Sequence, residues 1–235
     1  MHAARILVVE DDTQICDVVV YILERCGFAV ETAGDGKSGL TAFRRSPPDL
    51  VVLDLNLPRL SGLELFQVMR RAQPRLPVVM LTCQSDAVDR IVGLEMGADD
   101  YVTKPFNARE LAARVKAVLR RCQSAATTDR TVILEGPVRI DTTTRQFSYF
   151  GHEIELTRQE FALMCAFCAS PARTYSRDEL IAHMYGDDHP VTDRSVDACI
   201  KRLRGKLQAA HPALNPIRTI YGIGYKYNER LGNAP

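Results

Sequence analysis

The sequence predicts two domains of different class, an α/β domain followed by a smaller α+β domain. Three observations carry that expectation. Residues 5–121 alternate short apolar runs with helical patterns five times, which implies a parallel sheet covered on both faces. At the centre of them, Asp49–Pro58 holds an apolar run too short for a helix, closed by turn signals at Leu57-Pro58 and Ser61-Gly62. It reads as a strand buried on both sides. From residue 132 the order changes to β-branched and aromatic runs with turns, then three capped helical stretches and a hairpin pattern.

In the first domain the strand runs lie near 5–9, 28–32, 49–53, 77–81 and 100–103, and the helical patterns near 13–26, 36–45, 62–72, 85–97 and 107–121. Gly27, Gly36, Gly62 and Gly97 punctuate the joins. Four strand ends then deliver polar chemistry to one edge of the sheet. Ile6–Val9 is followed at once by Glu10, Asp11 and Asp12, and Asp54 ends the central run. Pro77–Leu81 ends in Thr82, and Asp100–Thr103 ends in Lys104-Pro105. Open α/β sheets bind their ligands beyond these carboxyl ends. Carboxylates gathered there without compensation repel one another and rise in pKa. A hard divalent cation resolves that, and Mg²⁺ favours a few carboxylates together with waters and phosphate oxygens. The composite reads as a site for moving a phosphoryl group onto Asp54. Asp12 reads instead as an acid at a helix start, where the dipole favours it.

Residues 122–131 are small and polar, a linker composition. The stretch to about Glu155 has turns at Glu135–Pro137 and Phe150-Gly151 and suggests a small antiparallel sheet. Thr157 and Glu160 form a capping-box signature, Ser176 and Glu179 repeat it, and Asp193 caps a third helix. In that helix Val196, Ile200, Leu203 and Leu207 make one buried stripe. Arg194, Ala198, Lys201, Arg202 and Gly205 project the other way, flanked by Arg204 and Lys206. Four cations between Lys201 and Lys206 suit a helix that lies in a major groove. Ile217–Tyr227 follows as a hairpin with a glycine-rich tip. Gly222-Ile223-Gly224 is no dinucleotide loop, lacking the third glycine and the helix after it.

On these motifs the chain resembles a two-component response regulator of the OmpR/PhoB, winged-helix family, over nearly its whole length. The resemblance implies a five-stranded, doubly wound, flavodoxin-like receiver domain over 1–121, a linker over 122–131 and a winged-helix DNA-binding domain over 132–235. It implies that Asp54 accepts a phosphoryl group from a sensor histidine kinase, and that Mg²⁺ is held by Glu10, Asp11, Asp54 and the backbone carbonyl of Asn56. Thr82 and Lys104 would touch the phosphoryl group, Tyr101 would be the switch aromatic, and the Lys104-Pro105 bond would be cis. The protein would thus be a signalling switch that catalyses its own aspartyl phosphorylation and dephosphorylation, rather than an enzyme acting on other substrates.

The same resemblance implies a homodimer through the fourth helix, fifth strand and fifth helix. Crossed ion pairs would join Arg90 with Glu110, Glu95 with Lys116, and Asp100 with Arg114. Promoter DNA would be met by Arg194, Ala198, Lys201, Arg202, Arg204, Arg218 and Tyr221, with RNA polymerase as a further partner. This chain departs from the family pattern in several places. Cys83 stands where alanine is usual and Cys199 where many relatives have histidine. Tyr221 stands where many have a wing arginine, and Gly205 removes an outward contact.

Composition agrees with this frame. The 235 residues suffice for two cores, and a formal net charge of +1 carries no nucleic-acid signal of its own. No run is apolar enough to span a membrane or serve as a signal peptide, so the expected location is the cytoplasm. Seven cysteines without framework spacing fit a reducing compartment. Cys165 and Cys168 match CxxC, but with Phe161 and Met164 they fall on one helical stripe and read as core. Two other readings compete. An aspartate-nucleophile phosphatase needs an acid–base aspartate two residues after its nucleophile, where this chain has Asn56. A receiver acting by protein contact alone would have lost DNA readout through Tyr221 and Gly205.

Overall fold

The computed structural model describes residues 3–83, 97–123, 132–186 and 193–228. The chain divides into two units. In the first, strands β1 (Arg5–Val9), β2 (Ala29–Ala33), β3 (Leu50–Asp54), β4 (Val78–Cys83) and β5 (Asp100–Lys104) form one sheet in the order β2-β1-β3-β4-β5. Every pairing in it is parallel. Helices α1 (Thr13–Arg25), α2 (Gly36–Arg45), α3 (Gly62–Ala72) and α4 (Ala108–Gln123) accompany it. The helical pattern read near 85–97 lies, apart from Gly97, outside the described residues.

β3 is buried at all five positions, as a strand covered on both faces must be. One face packs Ile6, Val8, Leu50, Val52, Val79 and Leu81 with Val19 and Leu23 of α1 and Leu111, Val115 and Val118 of α4. Leu7, Val9, Val51, Leu53 and Met80 alternate with these, are equally buried, and turn to the opposite face. There α2 comes so close that a Cβ on Gly39 would stand 2.9 Å from Val9 Cγ1. Each such aliphatic side chain contributes about 1.5–3 kcal/mol through burial. Asp12 caps α1, accepting from the Gln14 and Ile15 amides at 2.8 and 3.2 Å.

Two boundaries differ from the sequence expectation. Thr82 lies within β4, paired with Thr103 of β5, so its position is fixed by the ladder on that side. Helix α4 runs on through Cys122 and Gln123, the first two residues expected in the linker. Arg120 and Arg121 in its last turn suit a helix C-terminus, and the Arg121 guanidinium donates back to the Ala117 carbonyl at 3.3 Å. The remaining expected linker residues, 124–131, are outside the described segments.

The second unit opens with an antiparallel sheet, β6 (Val132–Glu135), β7 (Val138–Asp141), β8 (Gln146–Tyr149) and β9 (His152–Glu153), in sequential order. Helices α5 (Arg158–Ala169), α6 (Arg177–Tyr185) and α7 (Asp193–Ala210) follow, with hairpin β11 (Ile217–Ile220) and β12 (Gly224–Tyr227). A strand unforeseen from sequence, β10 (Thr174–Ser176), pairs with β12 to complete a β10-β12-β11 sheet. Both capping boxes form as read, Thr157 with Glu160 and Ser176 with Glu179. Asp193, read as a cap, is the first residue of α7. Val196, Ile200, Leu203 and Leu207 are fully buried, and Met164, Phe167 and Cys168 pack in the same core. Among the described residues no helix is long and apolar enough to cross a membrane.

Candidate functional site

At the carboxyl edge of the parallel sheet, Lys104 at the end of β5 points its ammonium between two carboxylates. Its Nζ lies 2.7 Å from Asp54 Oδ2 and 2.7 Å from Glu10 Oε2. Glu10 and Asp54 are buried, whereas Asp11 is exposed. A ligand oxygen from each of these three acids lies within 4.8 Å of the others. Burial pushes the Glu10 carboxyl up, and the Asp54 charge adds to that against the opposing effect of Lys104. Burial alone would lower the Lys104 ammonium, but its hydrogen bonds to Asp54 and Glu10 outweigh this and leave it raised.

The rest of the pocket is set by backbone geometry. The Asn56 amide donates to Asp54 Oδ1 at 3.2 Å, holding the carboxylate from the loop side. Gly62 opens α3 directly against this loop, where a Cβ would overlap the Asp54 carbonyl oxygen. Thr82 is 1 % exposed, yet its hydroxyl has no hydrogen-bond partner among the described residues. Such a buried orphan is costly unless a ligand satisfies it. Tyr101 is also buried, at 8 % exposure, and the Lys104-Pro105 peptide is cis. Glu10, Asp54 and Lys104 are thus joined directly, with Asp11 beside them.

Of the residues expected in a dimer face, Arg90 and Glu95 lie outside the described segments. Arg114 is occupied within its own chain, 3.3 Å from Asp100 Oδ1 and 2.9 Å from Glu110 Oε1. The i,i+4 spacing on α4 explains the second contact. Lys116 is exposed.

In the second unit α7 presents a different surface from the one its helical projection suggests. Lys201 is exposed, but Arg202 and Lys206 turn toward the fully buried Glu160 of α5, at 3.5 and 2.7 Å. Arg204 turns the other way and donates to the Ile217 carbonyl at 2.8 Å and to Thr219 Oγ1 at 3.0 Å. Three of the four cations are therefore tied to neighbouring elements. Ala198 is half-buried, Gly205 is exposed, and the Arg194 side chain is not among those described. Arg218 and Tyr221 are both exposed on the hairpin.

Sequence reading missed Asp197, which sits on the exposed side of α7. It accepts from Arg177 Nε at 2.9 Å and from the Tyr225 hydroxyl at 2.7 Å. The Arg177 and Arg204 guanidiniums both lie over the Tyr225 ring, 5.3 and 5.6 Å from its centroid. The only sequence signal was an acid within a basic helix.

Comparison with known proteins agrees with both halves. The model of the response regulator receiver domain matches residues 6–116, and that of the C-terminal domain of transcriptional regulatory proteins matches residues 151–227. The chain is 43 % identical over 225 residues to transcriptional regulatory protein CreB of Escherichia coli K12, spanning 96 % of this chain and 98 % of that one. It is 39 % identical over 222 residues to DNA-binding response regulator MtrA of Mycobacterium tuberculosis H37Rv, spanning 94 % and 96 %. A solved structure of a RitR mutant superposes with a TM-score of 0.77 over 97 % of this chain and 100 % of that one. At 22 % identity that likeness shows the fold alone.

A doubly wound receiver with an acidic strand-end pocket, joined to a winged helix, defines a signal-controlled transcriptional regulator. The chain belongs to the OmpR/PhoB family of response regulators and is a phosphorylation-dependent, DNA-binding regulator of transcription.

Proposed function

We propose that Asp54 is the phosphoacceptor and that a sensor histidine kinase is the donor. The observation that carries this is the Lys104 ammonium bridging Asp54 and Glu10 beside the unpartnered Thr82 hydroxyl. An Asp54 oxygen attacks the phosphorus, the P–N bond of the donor phosphohistidine breaks, and the imidazole nitrogen leaves with the electron pair. Lys104 shifts one of its contacts to a phosphoryl oxygen, and Thr82 donates its hydroxyl hydrogen to another. Water later cleaves the acyl phosphate and restores the carboxylate.

The pocket's all-oxygen donor set fits a hard divalent cation. Glu10, Asp11, Asp54 and the Asn56 carbonyl would hold Mg²⁺. Bound there, it supplies charge neutralisation for the incoming phosphoryl oxygens. The chain catalyses its own phosphorylation and dephosphorylation in this way.

Drawing Thr82 toward the phosphoryl group changes the packing beside Tyr101. That biases the face formed by the segment around residues 85–97, β5 and α4 toward pairing with a second copy. Arg114 exchanges its in-chain partners for Asp100 of the second copy, while Arg90 meets Glu110 and Glu95 meets Lys116. Exposed pairs contribute about 0–1 kcal/mol each, so they set register more than affinity. Such a switch requires the phosphorylated and free states to differ in dimer affinity. The dimer then acts in the cytoplasm on adjacent half-sites of promoter DNA, within reach of RNA polymerase. Lys201, Ala198 and Arg194 face the major groove, Arg202 and Arg204 support them, and Arg218 and Tyr221 lie on the wing.

Sedimentation of the full chain before and after incubation with Mg²⁺ and acetyl phosphate, beside Asp54→Ala, tests this reading. Conversion of monomer to dimer in the wild type alone is expected. Equal behaviour of both proteins would contradict it.

A further inference from the structure

The wing ends in a surface that charge-based DNA binding does not use. Tyr221 is 93 % exposed and Ile223 57 %, and they flank Gly222 at the tip of the β11–β12 hairpin. The turn is tight, with the Ile223 amide donating to the Ile220 carbonyl at 3.0 Å. Gly222, at φ +75°, occupies its third position, a conformation that side chains other than glycine rarely adopt. Behind the tip, a Cβ on Gly224 would overlap the Tyr175 carbonyl oxygen, so β12 is clamped against β10 on one side and β11 on the other. The two largely exposed apolar side chains are thus held out from a fixed base.

The surroundings say what they meet. Arg218 and Lys226 are register partners across the two strands, a pair of cations with two residue pairs between them and the tip. β11 is joined to α7 through the Arg204 bonds to Ile217 and Thr219. Cations at the base of a narrow hairpin suit the phosphates on either side of a groove. A three-residue hairpin loop is narrow enough for a minor groove about 6 Å wide. Two side chains offer far less area than the roughly 1,000 Å² a specific protein interface needs.

We propose that Tyr221 and Ile223 form an apolar wedge that enters the minor groove. The wing then reads how easily a base step unstacks, rather than the negative potential of a narrow groove. This rests on the DNA-binding reading above. It favours a flexible pyrimidine–purine step beside the site read by α7.

The test uses the full chain, phosphorylated with acetyl phosphate, to recover duplexes from a random-sequence pool. The recovered duplex is then titrated with wild type, Tyr221→Ala and Tyr221→Arg at several salt concentrations. The wild type should recover a pyrimidine–purine step at the wing position. Tyr221→Ala should bind roughly tenfold more weakly with an unchanged salt slope, since no phosphate contact is lost. Tyr221→Arg should regain affinity with a slope steeper by about 0.9. Because Tyr221 is exposed, neither change threatens the fold. Wild-type affinity and sequence preference in Tyr221→Ala would overturn the proposal. Failure of the wild type to retain any duplex would overturn the DNA-binding reading itself, and the wedge with it.

Discussion

The Lys104 ammonium lies 2.7 Å from Asp54 Oδ2 and 2.7 Å from the Glu10 carboxylate, so one cation compensates two acids that come from different strand ends. Lys104 therefore supplies, electrostatically, part of what a divalent cation would supply in the same pocket. Lys104→Ala should lower stability by about 3 kcal/mol in metal-free buffer, because two buried carboxylates lose their partner. Mg²⁺ should then raise the melting temperature of the variant more than that of the wild type. Equal shifts measured by calorimetry would show that the metal and the ammonium act independently.

Two glycines make opposite predictions from space alone. A Cβ on Gly62 would overlap the Asp54 carbonyl oxygen, so Gly62→Ala must displace the loop that follows Asp54. Denaturant titration should show a loss of about 3 kcal/mol. Gly205 lies mid-helix, and a methyl group added there would meet nothing within 4 Å. Gly205→Ala should stabilise by about 1 kcal/mol through helix propensity. A loss at Gly205 would mean that α7 needs the flexibility there.

Glu160 serves three partners at once. It accepts from the Thr157 amide at 2.8 Å and meets Lys206 at 2.7 Å and Arg202 at 3.5 Å. Glu160→Gln keeps the cap but leaves two cations of α7 without their counter-charge. A stability loss of about 3 kcal/mol is expected, with Glu160→Ala losing more as the cap also goes. Unfolding curves for the two variants that coincide with wild type would mean that α7 is held without Glu160.

The CxxC pair should be chemically quiet. Burial pushes the Cys165 thiol up to about 11 and Cys199 to about 12, and raises Cys168 as well. At about pH 8 all three stay protonated, whereas about a quarter of a free thiol of pKa about 8.5 is thiolate. Ellman's reagent should leave them unreacted in the native protein and reach all seven cysteines after denaturation. Fast reaction at Cys165 and Cys168, or a bond between them, would contradict the core assignment.

Much of this was legible in the chain because it depends on local pattern. Alternating apolar runs pointed to the parallel sheet, the capping boxes at Thr157 and Ser176 formed where they were read, and Asp12 proved to be a cap. What escaped depends on approach between distant elements. Three-residue β10 is a strand only because β12 lies beside it. The helical projection of α7 treated Arg202, Arg204 and Lys206 as free, whereas α5 and β11 approach from either flank and claim them. The contacts of Arg114 with Asp100 and Glu110 inside its own chain were likewise not read from the sequence.

Whether Asp54 takes the phosphoryl group is decided by intact-mass spectrometry after incubation with Mg²⁺ and acetyl phosphate, with Asp54→Ala alongside. A single phosphoryl adduct is expected on the wild type, requiring Mg²⁺ and absent from the variant. An adduct that persists in Asp54→Ala, or none on the wild type, would contradict the assignment of Asp54 as the acceptor.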